Sequence, residues 1–206
     1  LSMIKLLENL GVSVISKKNS FVLNARKINS NVADYELVRK MRASILVLGP
    51  LLTRFKEAII SLPGGCAIGT RPIDIHLDGL SKLGVDFQIS NGFVRGIIKD
   101  RLIGAKINLS FPSVGATENI MMAATLAKGK TTITNAAMEP EIVDLANSLN
   151  SMGARITGTG SRIIEIEGVH LLENSEYTVM FDRIVAGTFV IAAVMTNNNF
   201  SVKKIK

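Results

Sequence analysis

Apolar and polar positions along the chain form a pattern that recurs three times. Leu7-Glu8-Asn9-Leu10-Gly11-Val12 runs into Ser13-Val14-Ile15 and Phe21-Val22-Leu23. Leu80-Ser81-Lys82-Leu83-Gly84-Val85 runs into Phe87-Gln88-Ile89 and Phe93-Val94-Arg95, and Leu149-Asn150-Ser151-Met152-Gly153-Ala154 into Arg155-Ile156-Thr157 and Ile163-Ile164-Glu165-Ile166. Each copy reads as an amphipathic helix stopped by a glycine, then two strands joined by a polar turn. The stop glycines Gly11, Gly84 and Gly153 lie roughly seventy residues apart, the spacing of a structural repeat.

A second element interleaves with the first at the same spacing. Met41–Gly49, Gly115–Ala124 and Ala186–Ala193 are rich in small residues and apolar nearly all round, which predicts buried helices. A β-like run follows the first two, Ala58–Leu62 and Thr131–Thr134. The repeating unit is therefore β-α-β-α-β-β. Such units bury their faces against one another, so the pattern predicts a closed pseudo-threefold domain with helices inside and sheets outside. A two-layer α+β domain with accidental internal similarity is the alternative. The predicted domain covers 1–178, with repeats near 1–60, 61–130 and 131–178, and 179–206 is expected to begin a second domain. Both ends are expected to be cuts through a longer protein.

Composition narrows the function classes. Of the 206 residues, 47% are hydrophobic and 20% charged, an ordinary globular balance. Apolar runs stop well short of the ~18 residues a spanning helix needs, so no membrane insertion is expected. One cysteine excludes an internal disulfide and a multi-cysteine zinc site, and two distant histidines argue against a His-rich metal centre. The net charge of +7 invites an anionic partner. The cations are scattered except for Lys203, Lys204 and Lys206, and aromatics are only 5%. A nucleic-acid binder needs a basic stripe with stacking rings, so nucleic acid is not expected.

The densest chemistry lies in Ser61–His76, which holds three glycines, two prolines, Arg71 and the lone Cys66. Glycines let backbone N–H groups approach an anion, and arginine offers a planar fork for phosphate. Cys66 among such donors reads either as a thiol of lowered pKa that reacts or moves protons, or as a buried cysteine in a tight loop. Arg42 opens a predicted buried helix, where a cation suits an anion held jointly with the helix terminus or else a nearby acid. Phe111-Pro112-Ser113-Val114-Gly115 enters the matching helix; its amides suit a second phosphate, and Ser113 suits a cap. Glu139-Pro140-Glu141 reads as capping of the third repeat helix. His76 and His170 read as surface or satisfied core histidines, and Met121-Met122 as core.

Leu62–Asp74 resembles the cysteine loop of the UDP-N-acetylglucosamine 1-carboxyvinyltransferase family of enolpyruvyl transferases. Met41–Ser44, Phe111–Ala124, Asn135–Asp144 and Asp182-Arg183 fit the same family in the same order, so the resemblance covers almost the whole chain. It implies an inside-out α/β barrel of two domains, each built from three β-α-β-α-β-β units. It implies that Cys66 is the proton donor that also forms an adduct with phosphoenolpyruvate and is alkylated by fosfomycin. Arg42 and Arg71 would grip phosphate, Arg71, Pro72, Ile73, Asp74 and Ile75 the uridine end of the sugar nucleotide, and Pro112, Ser113 and Val114 its diphosphate. Phe111 stands where some relatives carry lysine, Phe181 where proline is usual and Val185 where an acid is usual. The family's N-terminal Lys-Asn pair and its catalytic aspartate have no counterpart in these residues. The resemblance implies phosphoenolpyruvate and UDP-N-acetylglucosamine as substrates, no metal or organic cofactor, and a bacterial cytoplasmic location. Two further readings stay open: a UDP-sugar-binding fragment without turnover, and a degenerate paralogue.

Overall fold

The computed structural model describes residues 2–33, 35–38, 41–62, 73–197 and 201. The chain divides into two compact units, Leu1–Ser175 and Glu176–Lys206.

The first unit opens with helix α1 (Ser2–Asn9) and the hairpin β1 (Ser13–Lys17) and β2 (Ser20–Asn24). Then come β3 (Val32–Ala33), the one-turn α2 (Tyr35–Val38), a 3-10 helix (Arg42–Val47), α3 (Leu48–Phe55), β4 (Glu57–Ser61), α4 (Asp74–Lys82), β5 (Asp86–Ser90) and β6 (Phe93–Ile97). The last repeat supplies β7 (Lys106–Asn108), α5 (Val114–Ala124), β8 (Lys130–Thr134), α6 (Pro140–Ser151), β9 (Arg155–Thr157) and β10 (Ile163–Glu167).

The repeat read from the sequence is present in the sheets. One has the order β3-β4-β6-β5 and another β7-β8-β10-β9. In both, the first pair is parallel and the other two are antiparallel. The hairpin β1–β2 corresponds to β5–β6 and β9–β10, but it stands alone as a two-stranded sheet. The architecture is mixed α/β, with two full β-α-β-α-β-β units and one α-β-β unit among the described residues; a closed barrel is not formed by them.

Local chemistry explains the elements. Gly11, Gly84 and Gly153 all stop their helices with φ between 97° and 101°, a left-handed conformation that a side chain disfavours. In each case the next residue's N–H reaches back to the helix, as in Val12 to Leu7 O at 2.9 Å and Ala154 to Leu149 O at 3.1 Å. Asn91-Gly92, at φ 51° and 79°, makes the two-residue turn between β5 and β6, the Asn-Gly signature of a tight hairpin.

Burial separates two kinds of helix. In α5 seven of eleven residues are buried, from Ala116 to Ala124, whereas α4 buries only His76, Gly79 and Leu80 and α6 only Ile142, Ala146 and Leu149. The small-residue helices α3 and α5 pack together, and the repeat helices α4 and α6 pack on α5.

Two expectations need correction. Arg42 does not open an α-helix: Arg42–Val47 is 3-10, and α-helix begins only at Leu48. Pro50 accounts for this, because its ring would clash with the carbonyl of residue 46 in a continuous α-helix and it has no N–H to donate. In the second unit, α7 (Arg183–Thr196) is capped by Asp182, which accepts from the N–H groups of Ile184 and Val185, both at 2.9 Å. Its apolar sequence predicts burial, yet none of its residues is buried. An apolar pattern predicts burial only where another layer packs on the helix.

Candidate functional site

Three of the chain segments singled out in the sequence are described, and each begins a helix. The first is the 3-10 helix carrying half-buried Arg42 at its start. Met41 precedes it in extended conformation with no side-chain cap. Buried Ser44 fixes this turn by donating its hydroxyl to Val38 O at 3.3 Å.

The second segment is the start of α4. Ile73 is its N-terminal flanking residue and is buried, Asp74 is exposed in the first turn, and Ile75 is half-buried. An acid in a first turn complements the helix dipole. The Ile73 carbonyl accepts the N–H groups of His76 and Leu77 at 3.0 and 3.1 Å. Cys66, Arg71 and Pro72 lie outside the described residues, so the structure assigns them no geometry.

The third segment is Pro112, Ser113 and Val114 at the start of α5, all half-buried beside exposed Phe111. Ser113 caps the helix, its Oγ accepting the Ala116 N–H at 3.3 Å. The Ser113 carbonyl accepts both the N–H and the hydroxyl of Thr117, at 3.0 and 2.8 Å. The capping role read from the sequence is therefore occupied. The Glu139-Pro140 start of α6 is likewise an ordinary helix entry, with proline in the first turn.

What joins the segments is a buried polar cluster. Asn119 on α5 is fully buried. Its Oδ1 accepts the Gly49 N–H at 2.8 Å, and its Nδ2 donates to Ile45 O at 3.0 Å and lies 3.3 Å from His76 Nδ1. One carboxamide thus links the 3-10 helix, α3, α4 and α5. His76 is 4% exposed. Its pKa is lowered from 6.5 to about 4, first by burial and then by the Arg42 charge, against a weaker opposing pull from Asp74. The ring is neutral at pH 7, as its position against an amide donor requires. On the same helix Glu118 is half-buried, and desolvation together with the charge of Glu141 raises its pKa.

Sequence reading left Asn119 without a role and gave His76 only the alternatives of surface or core. The available signal was an amide inside the mostly apolar Ala116–Ala124 stretch, since a buried amide demands partners. His170 lies on the surface, its Nδ1 3.1 Å from Arg101 Nη1. Among the described residues no group of three His, Cys, Asp or Glu side chains is arranged to hold a metal ion, and no helix is long and apolar enough to cross a membrane.

The sequence profile of EPSP synthase (3-phosphoshikimate 1-carboxyvinyltransferase) matches residues 1–206. The chain belongs to this family. Within it, the chain is 54% identical over 198 residues to UDP-N-acetylglucosamine 1-carboxyvinyltransferase 1 of Halalkalibacterium halodurans, covering 96% of the chain and 45% of that relative. It is 50% identical over 205 residues to the UDP-N-acetylglucosamine 1-carboxyvinyltransferase of Coxiella burnetii, covering 99% and 47%. It is 54% identical over 204 residues to UDP-N-acetylglucosamine 1-carboxyvinyltransferase 2 of Carboxydothermus hydrogenoformans, covering 99% and 48%. The chain therefore spans just under half the length of these family members. Among solved structures, the enolpyruvyl transferase NikO from Streptomyces tendae superposes with a TM-score of 0.80 at 20% identity, over 93% of the chain and 46% of that structure. EPSP synthase from Acinetobacter baumannii gives 0.67 at 20% identity, over 93% and 44%. Both share the fold of this family.

Proposed function

We propose that the chain is the cysteine-loop part of a UDP-N-acetylglucosamine 1-carboxyvinyltransferase, an enzyme that transfers enolpyruvyl from phosphoenolpyruvate to the sugar 3′-hydroxyl and releases phosphate, opening peptidoglycan synthesis in the bacterial cytoplasm. The observation that carries this reading is identity of 50% or more, over nearly the whole chain, to relatives bearing that name. In the reaction, a base takes the hydroxyl proton as the oxygen bonds to C2 of phosphoenolpyruvate, while an acid gives a proton to C3. The tetrahedral intermediate then loses a C3 proton and inorganic phosphate to give the enol ether. Cys66 is the proposed acid at C3 and the thiol that fosfomycin alkylates. Arg42 and Arg71 are the proposed phosphate grips, where oriented cations stabilise developing charge. Arg71, Pro72, Ile73, Asp74 and Ile75 are proposed at the uridine, and Pro112, Ser113 and Val114 at the diphosphate.

The proposed architecture is the closed inside-out barrel, with a domain over 1–178 and the start of another over 179–206. Two sheets of the same order support it, as does an apolar groove of about 610 Å³ that Leu7, Leu51, Met122, Leu126, Leu149 and Leu172 help to line.

A second reading is favoured by the length relation: the 206 residues bind the sugar nucleotide without turning it over. Titration calorimetry with UDP-N-acetylglucosamine, beside a phosphate-release assay with phosphoenolpyruvate, separates the readings. Binding with no phosphate release is the result expected of these residues alone, and turnover by them overturns the second reading. Absence of binding counts against both.

A further inference from the structure

The segments assigned above to the sugar nucleotide come from different parts of the chain and meet through two side chains. His76 lies in the first turn of α4, where its backbone N–H closes onto Ile73 O at 3.0 Å, next to Asp74. Its ring turns inward and meets Asn119 Nδ2 at 3.3 Å. A carboxamide nitrogen has two hydrogens; here one serves Ile45 O in the Arg42-bearing 3-10 helix and the other His76 Nδ1. That contact requires Nδ1 to be an acceptor and puts the ring proton on Nε2. The far side of the ring rests on the first turn of α5: a Cβ built on Gly115 would lie 3.3 Å from His76 Cε1 and 3.6 Å from Nε2. The imidazole is thus wedged between Asn119 and the helix entry that Ser113 caps. Arg42 and Asp74 are the charged groups that act on it.

We propose that His76 and Asn119 form a positioning pair, holding the Arg42 turn, the start of α4 and the start of α5 in the one arrangement that receives the sugar nucleotide. The pair acts through its neighbours and is assigned no contact with substrate. The inference rests on the functional reading above for the ligand, but the mechanical coupling of the three segments stands apart from it.

The test compares His76→Asn with His76→Leu in the full chain. The asparagine Oδ1 replaces Nδ1 as acceptor, whereas leucine keeps bulk and loses the hydrogen bond. Two quantities are read: affinity for UDP-N-acetylglucosamine by calorimetry, and hydrogen exchange at the Gly49 and Ala116 amides, which sit on different helices. His76→Leu is expected to weaken binding about tenfold, the scale of one oriented hydrogen bond, and to speed exchange at both amides together. His76→Asn is expected to restore both. Gly115→Ala presses on the ring without altering either partner; it should weaken binding in the same direction and covers the case in which the leucine variant does not fold. The proposal is overturned if His76→Leu and Gly115→Ala leave exchange at both amides unchanged, or if His76→Asn is as impaired as His76→Leu. Coupled exchange with no sugar-nucleotide binding by the unsubstituted chain would instead sink the functional reading and leave the coupling in place.

Discussion

Gly49 donates its backbone N–H to Asn119 Oδ1 at 2.8 Å, so a glycine on α3 and an amide on α5 lock the two central helices together. The contact admits no side chain. A Cβ on Gly49 would lie 2.6 Å from Oδ1 and 2.7 Å from the Asn119 carbonyl oxygen. Gly49→Ala should therefore force the helices apart and destabilise the fold by about 1–3 kcal/mol, as overpacking does. Asn119→Leu should cost about 1–3 kcal/mol, because the Gly49 N–H would be left buried without its partner and the Ile45 carbonyl would keep only the Leu48 N–H. Urea unfolding of the two variants checks both values, and an unchanged midpoint for Asn119→Leu would contradict the role given to the amide.

His76 makes stability depend on pH. Its folded pKa of about 4 lies below its ordinary 6.5, so the unfolded chain takes up a proton that the folded chain refuses. Stability from this group is complete above pH 6.5 and falls as the pH drops from 6.5 towards 4, by roughly 3 kcal/mol over the window. Glu118, with its raised pKa, acts in the opposite direction, since its burial is least costly when it is protonated. Melting temperatures of the parent and His76→Asn between pH 4 and 7.5 isolate the histidine: the acid-side drop should be smaller in the variant.

The three stop glycines carry a simpler prediction. Nothing lies within 4 Å of a Cβ built on Gly84 or Gly153, yet both sit near φ 100°. Alanine at either position should cost about 1 kcal/mol through backbone strain alone. At Gly11 the cost should be larger, because a Cβ there would also meet Asn29 Oδ1 at 2.6 Å. Equal losses at Gly11 and Gly84 in thermal unfolding would argue against this steric difference.

Thr131 in β8 should be improvable. It is fully buried, and its hydroxyl is the one buried side-chain polar atom without a hydrogen-bond partner among the described residues. Thr131→Val keeps the β-branched shape and removes the stranded oxygen, so it should raise stability by about 1 kcal/mol. A lowered unfolding midpoint would show that the hydroxyl has a partner, such as a bound water.

Much of this protein was determined by the sequence alone. The glycine stops, the Asn91-Gly92 turn and the small-residue helices are set by φ/ψ preferences and by the period of apolar positions, which act within a few residues of one another. Their recurrence was enough to give the repeat and the order of its elements. Tertiary structure alone decided the rest. The joining of Asn119 to Gly49, Ile45 and His76 arises only when segments distant in sequence fold onto one another. A side chain's local pattern shows that it will be buried; its partner is chosen by whichever distant backbone the fold brings within hydrogen-bond reach.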